Sequence, residues 1–223
     1  MTKKLFLPPA TTVDVVIFTI EGNDLKILLI RRENEPFRRQ WALPGGFLFK
    51  NETAEQASYR VLHKKAGARV SYLEQLYTFD SPFRDPRGHV LTIAYMALVS
   101  HKNLNFTKRK ELQNPTFYSV KKIPKLAFDH RNILVYAIKR LRAKLEYTNV
   151  VLSLLPKLFT FNQLQKTYEI ILNRKLDKRN FRKKFMLLKL IRPTLKILKG
   201  ERQRPARLYQ FISRKSAELK KFF

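Results

Sequence analysis

The stretch Gln40–Ala68, QWALPGGFLFKNETAEQASYRVLHKKAGA, constrains the fold more than any other part of the chain. It joins a Pro-Gly-Gly turn, a short polar loop and a helix-length segment closed by Gly67. Ala57, Val61 and Leu62 recur at helical spacing over Glu55–Lys65, and Gly67 stands where a left-handed C-cap belongs. Spacing is the informative part. Five residues separate Gly46 from Glu52, seven separate Glu52 from Arg60, and six separate Arg60 from Gly67. The turn of helix before Gly67 carries Lys64 and Lys65. Hard divalent cations are held by carboxylate oxygens, so two ammonium groups there repel such an ion and can occupy its place.

Composition narrows the classes. A chain of 223 residues suits one medium domain plus a small one. With 44% hydrophobic residues, 17 Phe and 9 Tyr, packed cores are expected rather than disorder. No run of eighteen apolar residues and no signal-peptide architecture is present, which predicts a soluble, cytoplasmic protein with no membrane partner. The absence of Cys removes disulfides, thiolate metal sites and cysteine nucleophiles together. The net charge of +29 calls for a polyanionic partner, with nucleic acid favoured over an anionic membrane surface.

Along the chain, Thr12–Ile20 and Leu25–Arg31 read as a β-hairpin turning at Glu21-Gly22-Asn23-Asp24. After the glycine-turn segment, Val70–Phe79 and His89–Ser100 read as strands around the polar loop Ser81–Gly88, and Pro115–Val120 as another strand. His130–Leu145 reads as a helix with Ile133, Leu134, Ala137, Ile138 and Leu141 on one face. From Leu145 onward the texture changes. Residues 145–223 hold 20 Lys and Arg against 5 Asp and Glu, nearly doubling the charge density of the preceding part. A domain boundary is placed between 1–146 and 147–223.

In the second part, Thr160-Phe161-Asn162-Gln163 is a capping box that should start a helix over Phe161–Leu172. A short turn follows, and Asp177 is a good N-cap for a second helix reaching about Leu190. Phe181, Phe185 and Leu188 share one face of it. Lys178, Arg179, Arg182 and Lys183 cluster on the opposite one, with Asn180 near the N-terminus. Two strand-like segments, Thr194–Leu198 and Arg207–Ile212, flank a basic connection carrying Arg202 and Arg204. Helix, tight turn, basic helix and hairpin make a winged helix-turn-helix, whose second helix enters the major groove of double-stranded DNA. Arg and Asn can read base edges, while the wing arginines suit phosphate or minor-groove contact.

The chain resembles the Nudix-related transcriptional regulators typified by the NAD-metabolism repressors. The resemblance rests on the Gly46–Gly67 skeleton, which is that of the Nudix box. It also rests on Trp41–Phe47, Gln75–Phe79, Arg84–Gly88, Leu126–His130, Asp177–Arg182 and Arg204–Tyr209, and it covers nearly the whole chain. It implies an α/β Nudix-like sandwich, a mixed sheet between helices, followed by a small winged helix-turn-helix domain. It further implies a homodimeric repressor whose sensor binds ADP-ribose or a related phosphorylated metabolite and so alters operator affinity. Related regulators answer to sugar signals, and some members keep pyrophosphatase activity. This chain departs from that pattern at Val61, Lys64 and Lys65, which stand in place of glutamates, so a non-hydrolysing sensor without metal or cofactor is expected.

Candidate residues follow. Glu52 and Arg60 are read as a structural tie between loop and helix. Arg84 and Arg87 can clamp a diphosphate bidentately, with Lys64, Lys65, Arg31 and Arg32 as further ligand-binding candidates. Trp41 is read as core. His63, His89, His101 and His130 show no metal-ligand spacing and receive no chemical role. The alternative is a metal-dependent Nudix pyrophosphatase with an unusual metal site, drawing on Glu52, Glu55 or Glu74, and a basic nucleic-acid-binding tail. A sensor that has lost its ligand and binds DNA constitutively is a third possibility.

Overall fold

Strand β1 (Ala10–Glu21) is buried from Thr12 to Thr19, because helices cover both faces of the sheet it runs through. The computed structural model describes residues 8–67, 70, 72–100, 115–200, 203–213 and 218–219. Val13, Val15 and Ile17 share one apolar cluster with Ala57, Val61 and Leu62 of α1 (Ala54–Ala66). Val16 and Phe18 face the other side, in a cluster with Ile133, Leu134, Ala137 and Leu141 of α2 (His130–Tyr147). The alternation follows from the two-residue side-chain period of a strand.

β1 turns through Gly22, at φ +63°, into β2 (Asp24–Arg31). The glycine segment, expected only as a turn, contributes two short strands, β3 (Trp41–Ala42) and β4 (Gly45–Phe47). The strands β5 (Tyr72–Phe79), β6 (Val90–Leu98) and β7 (Thr116–Ser119) complete a mixed sheet of order β3-β2-β1-β6-β5, with β4 paired to β1 and β7 to β2. Among the described strands β1 and β6 pair in parallel, and the other strand pairs are antiparallel. One edge of β1 serves two partners, β2 at its C-terminal end and β4 over Thr12–Asp14. Between them the sheet splays, and that opening is where the cleft described below forms.

α1 begins and ends as its sequence directs, whereas Asp129 before α2 makes no side-chain cap and α2 runs on to Tyr147. Thr53 and Gln56 form a reciprocal capping box on α1, and Gly67 closes it in the left-handed region at φ +57°. α2 leads through a 3-10 turn (Val150–Ser153) into β8 (Phe159–Thr160) and α3 (Phe161–Leu172). The Thr160–Gln163 capping box opens α3, and Asn173 ends it in the left-handed conformation. α4 (Lys178–Leu187) is capped by Asp177 and ends earlier than expected, since Lys189 takes a positive φ and the chain turns into β9 (Ile191–Gly200). Pro193 is accommodated because β9 is the edge of the sheet β8-β10-β9, where β10 is Gln203–Phe211. Phe159, Phe161, Tyr168, Phe181, Phe185 and Tyr209 form an aromatic core that joins the α2 face through Leu145, Val150, Val151, Leu154 and Leu155. Among the described residues no helix is long and apolar enough to cross a membrane.

Candidate ligand cleft and nucleic-acid interface

The splay between β2 and β4 holds a cleft of about 250 Å³ lined by Asp14, Arg32, Gly45, Lys65, Arg87 and His130 among others. Asp14 is the one carboxylate in the buried run of β1, and two groups hold it there. Arg84 Nη2 lies 3.5 Å from its Oδ2, and His130 Nε2 lies 3.5 Å from its Oδ1. Arg84 also grips Asp129 through Nε at 3.0 Å and Nη2 at 2.6 Å. The backbone N–H of Leu43 donates to His130 Nδ1 at 3.0 Å, which leaves the proton of a neutral ring on Nε2 toward Asp14, and burial lowers the pKa of this imidazole. Gly45 is required beside this carboxylate. A Cβ there would overlap Asp14 Oδ1 and stand 2.8 Å from the Val13 carbonyl oxygen.

The structure separates the six expected ligand-binding residues. Arg32 enters the cleft, with Nε donating to the Pro36 carbonyl at 2.7 Å and its guanidinium 4.6 Å from the Phe128 ring centroid. Lys65 enters from the last turn of α1, its Nζ donating to the Gly45 carbonyl at 2.7 Å. Arg87 lies at the rim, doubly bonded to Asp85 at 2.9 and 2.6 Å and near the rings of Phe47 and Phe128. Arg84 lines the cleft as well, but its guanidinium is committed to Asp129 and Asp14. Arg31 and Lys64 do not line it. Arg31 stacks over Trp41 at 4.8 Å, and Lys64 is exposed on the outer side of α1. Trp41 packs against the core cluster, edge-on to Tyr118. Asp14, Phe128 and His130 were not singled out as ligand-facing, although a lone Asp inside an apolar strand is itself a signal of a buried, partnered charge.

The Nudix resemblance raises the matter of a divalent metal, and the residues present do not fit one. Val61 is 1% exposed inside the α1 cluster, and Lys65 already sets a positive charge against Gly45. Glu52 is taken by Arg60 at 2.6 and 2.7 Å, which pulls its pKa down to about 2, and it also accepts from the Phe49 backbone. Arg60 reaches on to the Phe47 carbonyl at 2.9 Å, so the pair ties the loop to the helix. Glu55 is exposed, and Glu74 on β5 is engaged by Tyr72, Arg140 and Lys144. Among the described residues no group of three or more His, Asp or Glu is placed to hold a metal ion.

The second surface lies on α4. Phe181 and Phe185 are buried one turn apart, which turns Lys178, Arg179, Asn180 and Lys183 to solvent. Asp177 Oδ1 accepts from the Asn180 backbone N–H at 2.7 Å and fixes the start of the helix. Arg182 is exposed but tethered, donating to Tyr209 Oη at 3.1 Å with its guanidinium over Phe161. The turn between α3 and α4 is pinned by Glu169, whose Oε1 accepts from the Leu176 N–H at 2.9 Å. Arg202 and the side chain of Arg204, the expected wing contacts, lie outside the described residues.

Comparison with known proteins agrees in both halves. Residues 8–137 match the NUDIX domain family, and residues 151–211 match the NrtR DNA-binding winged helix domain. The chain is 38% identical over 207 residues to the ADPR responsive transcriptional repressor NtrR of Acinetobacter baylyi, covering 91% of this chain and 82% of that one. It is 39% identical over 131 residues to an ADP-ribose pyrophosphatase of Methanocaldococcus jannaschii, covering 59% of this chain and 74% of that one. The crystal structure of Shewanella oneidensis NrtR complexed with a 27mer DNA superposes with a TM-score of 0.79 at 33% identity, covering 90% of this chain and 93% of that one.

Proposed function

Because the chain belongs to the family of Nudix-domain transcriptional regulators that end in an NrtR winged helix, we propose that it is a DNA-binding repressor. Its cleft binds ADP-ribose or a closely related metabolite without hydrolysing it. Residues 1–146 form the sensor and residues 147–223 the DNA-binding part. The aromatic faces of Phe47 and Phe128 beside Arg32, Lys65 and Arg87 suit a ligand that joins a planar base to a diphosphate.

The observation that carries the regulatory reading is the course of α2. Its first residue, His130, lines the cleft, and the Arg84-bound Asp129 precedes it. About 27 Å later, at 1.5 Å per residue, its far end packs into the winged-helix core. On the way, Arg142 Nε donates to the Ile171 carbonyl of α3 at 3.0 Å. A ligand that binds one setting of α2 better than another therefore changes the placement of α4 by its differential affinity. In a homodimer two recognition helices sit about a two-fold axis, and a change in their spacing releases paired half-sites.

The test is a selection of duplex sequences on the full chain, followed by titration of ADP-ribose against the retained duplex. Enrichment of paired half-sites and release by ADP-ribose are expected. No enriched motif, or no effect of the ligand, sinks the proposal. Likeness to a pyrophosphatase favours a second reading as a hydrolase, and chelator-sensitive turnover of ADP-ribose at an ordinary enzymatic rate would establish it.

A further inference from the structure

We propose that Lys65 takes the place of a divalent cation in the cleft, so that the effector's diphosphate is held by a resident ammonium and binds without added metal. This rests on the reading of the cleft as an effector site.

Asp14 and Gly45 are register partners across β1 and β4, which brings a carboxylate and a backbone carbonyl to one spot. Lys65 Nζ reaches the Gly45 carbonyl from α1 at 2.7 Å, and the nearby Asp14 carboxylate favours its charge. Asp14 and Glu33 favour its charge, while Arg32 and Arg60 oppose it. An ammonium has three N–H donors. One is used by Gly45, and among the described residues no other acceptor takes Lys65.

The surrounding charges point the same way. Arg84 is neutralised by Asp129 and Asp14, and Arg87 by Asp85. Arg32 and Lys65 are the cleft cations with no carboxylate in ion-pair contact among the described residues, and Arg32 spends its bonds on the carbonyls of Pro36 and Asn34. Both face one cleft whose lining also holds Glu33 and Glu35, so among the described residues they are the cations free of a direct ion pair and able to turn to a diphosphate. Burial lowers the pKa of both groups, the cost expected of charges that an anion relieves on binding.

Calorimetry of the full chain with ADP-ribose, in chelator and in added Mg²⁺, tests the assignment alongside Lys65→Met. Wild type should bind equally in both conditions. Lys65→Met should bind about tenfold to a hundredfold more weakly in both, as for a lost charged hydrogen bond. At alkaline pH wild-type binding should take up protons, seen as a heat that depends on the buffer, and Lys65→Met should not. Thermal unfolding and far-UV circular dichroism of Lys65→Met serve as the folding control. Wild-type binding that needs Mg²⁺, or unchanged affinity in Lys65→Met, overturns the inference and leaves the effector reading standing. Absence of binding to wild type under every condition overturns the effector reading, and this inference with it.

Discussion

In the cleft, Arg84 and Arg87 are gripped by carboxylates and Arg32 and Lys65 by backbone carbonyls, so each cation has a fixed direction before any ligand arrives. On α4, Lys178, Arg179 and Lys183 stand in solvent with no carboxylate in contact among the described residues. The same excess of positive charge is thus used in two ways. Fixed, half-buried cations lose little freedom on binding and select one small anion by geometry. Free, hydrated cations suit a polyanion that many conformations can meet, and their contribution is dominated by counterion release and falls steeply with salt. Arg182 is intermediate, since Tyr209 and Phe161 aim it while its charge remains exposed.

The largest expected effect comes from the most tightly held cation. Arg84→Ala leaves Asp14 and Asp129 with their shared guanidinium removed, inside a site where the Arg84 side chain is 3% exposed. Loss of one partner from a buried pair costs about 3–5 kcal/mol. Denaturant unfolding of the full chain measures it, and a loss below about 1 kcal/mol would show that the network does not organise the cleft.

On α4 the expected costs are smaller and fall on DNA alone. Arg179→Ala should lose about 1–3 kcal/mol on the preferred duplex and relax preference at one base pair. Lys183→Ala should instead weaken all duplexes alike and lower the salt slope by about 1. Effector affinity should stay unchanged in both. A variant of either kind that alters ADP-ribose binding while keeping its fold would break the separation between the two charge systems.

A third expectation concerns pH. Burial above all, with Arg32 and Arg60 adding to it, lowers the Lys65 pKa, while Asp14 and Glu33 oppose the shift. The charged form binds the anion, so affinity is complete below that lowered pKa and declines as pH rises through it, earlier than for an ordinary lysine. Titrations from neutral to alkaline pH should show the decline in wild type and a flatter profile in Lys65→Met. An equal decline in both would place the titrating group elsewhere.

What the sequence disclosed was local, and what it hid was long-range. The capping boxes at Thr53 and Thr160, the Asp177 cap and the apolar faces of α2, α3 and α4 are set within one or two turns of chain, and the structure carries them. The Glu52–Arg60 tie was legible too, because both ends sit on one loop-helix unit. The Asp14–Arg84–Asp129–His130 network was not, since it needs the parallel pairing of β1 with β6 and the return of α2 to the cleft. Arg84 reads as a ligand contact from its loop composition and the family resemblance, and nothing nearby in sequence announces that Asp129 will occupy it. Val61 was read as a missing ligand, whereas its place in the α1 core means that a glutamate there would also bury a charge.

The smallest expected effects come from the two candidates that the fold turns away, and they test the geometry most directly. Arg31 and Arg32 are neighbours in sequence, but successive residues of an extended strand point to opposite sides. Arg31 therefore lies over Trp41 while Arg32 reaches the cleft. Lys64 and Lys65 are separated by about 100° around α1, which leaves Lys64 in solvent while Lys65 meets Gly45. Arg31→Ala and Lys64→Ala should each change effector affinity by no more than about 0.5 kcal/mol, the range of ordinary surface changes. Arg31→Ala should lose a further ~0.5–1 kcal/mol of stability with its cation–π contact, which thermal unfolding reports separately. Arg32→Ala should cost about 1.5–3 kcal/mol of binding, as for a lost charged hydrogen bond. Calorimetry on the four single variants Arg31→Ala, Arg32→Ala, Lys64→Ala and Lys65→Met should therefore split them into two pairs. A graded series, in which neighbours in sequence behave alike, would mean that bulk positive charge rather than the oriented cleft attracts the ligand.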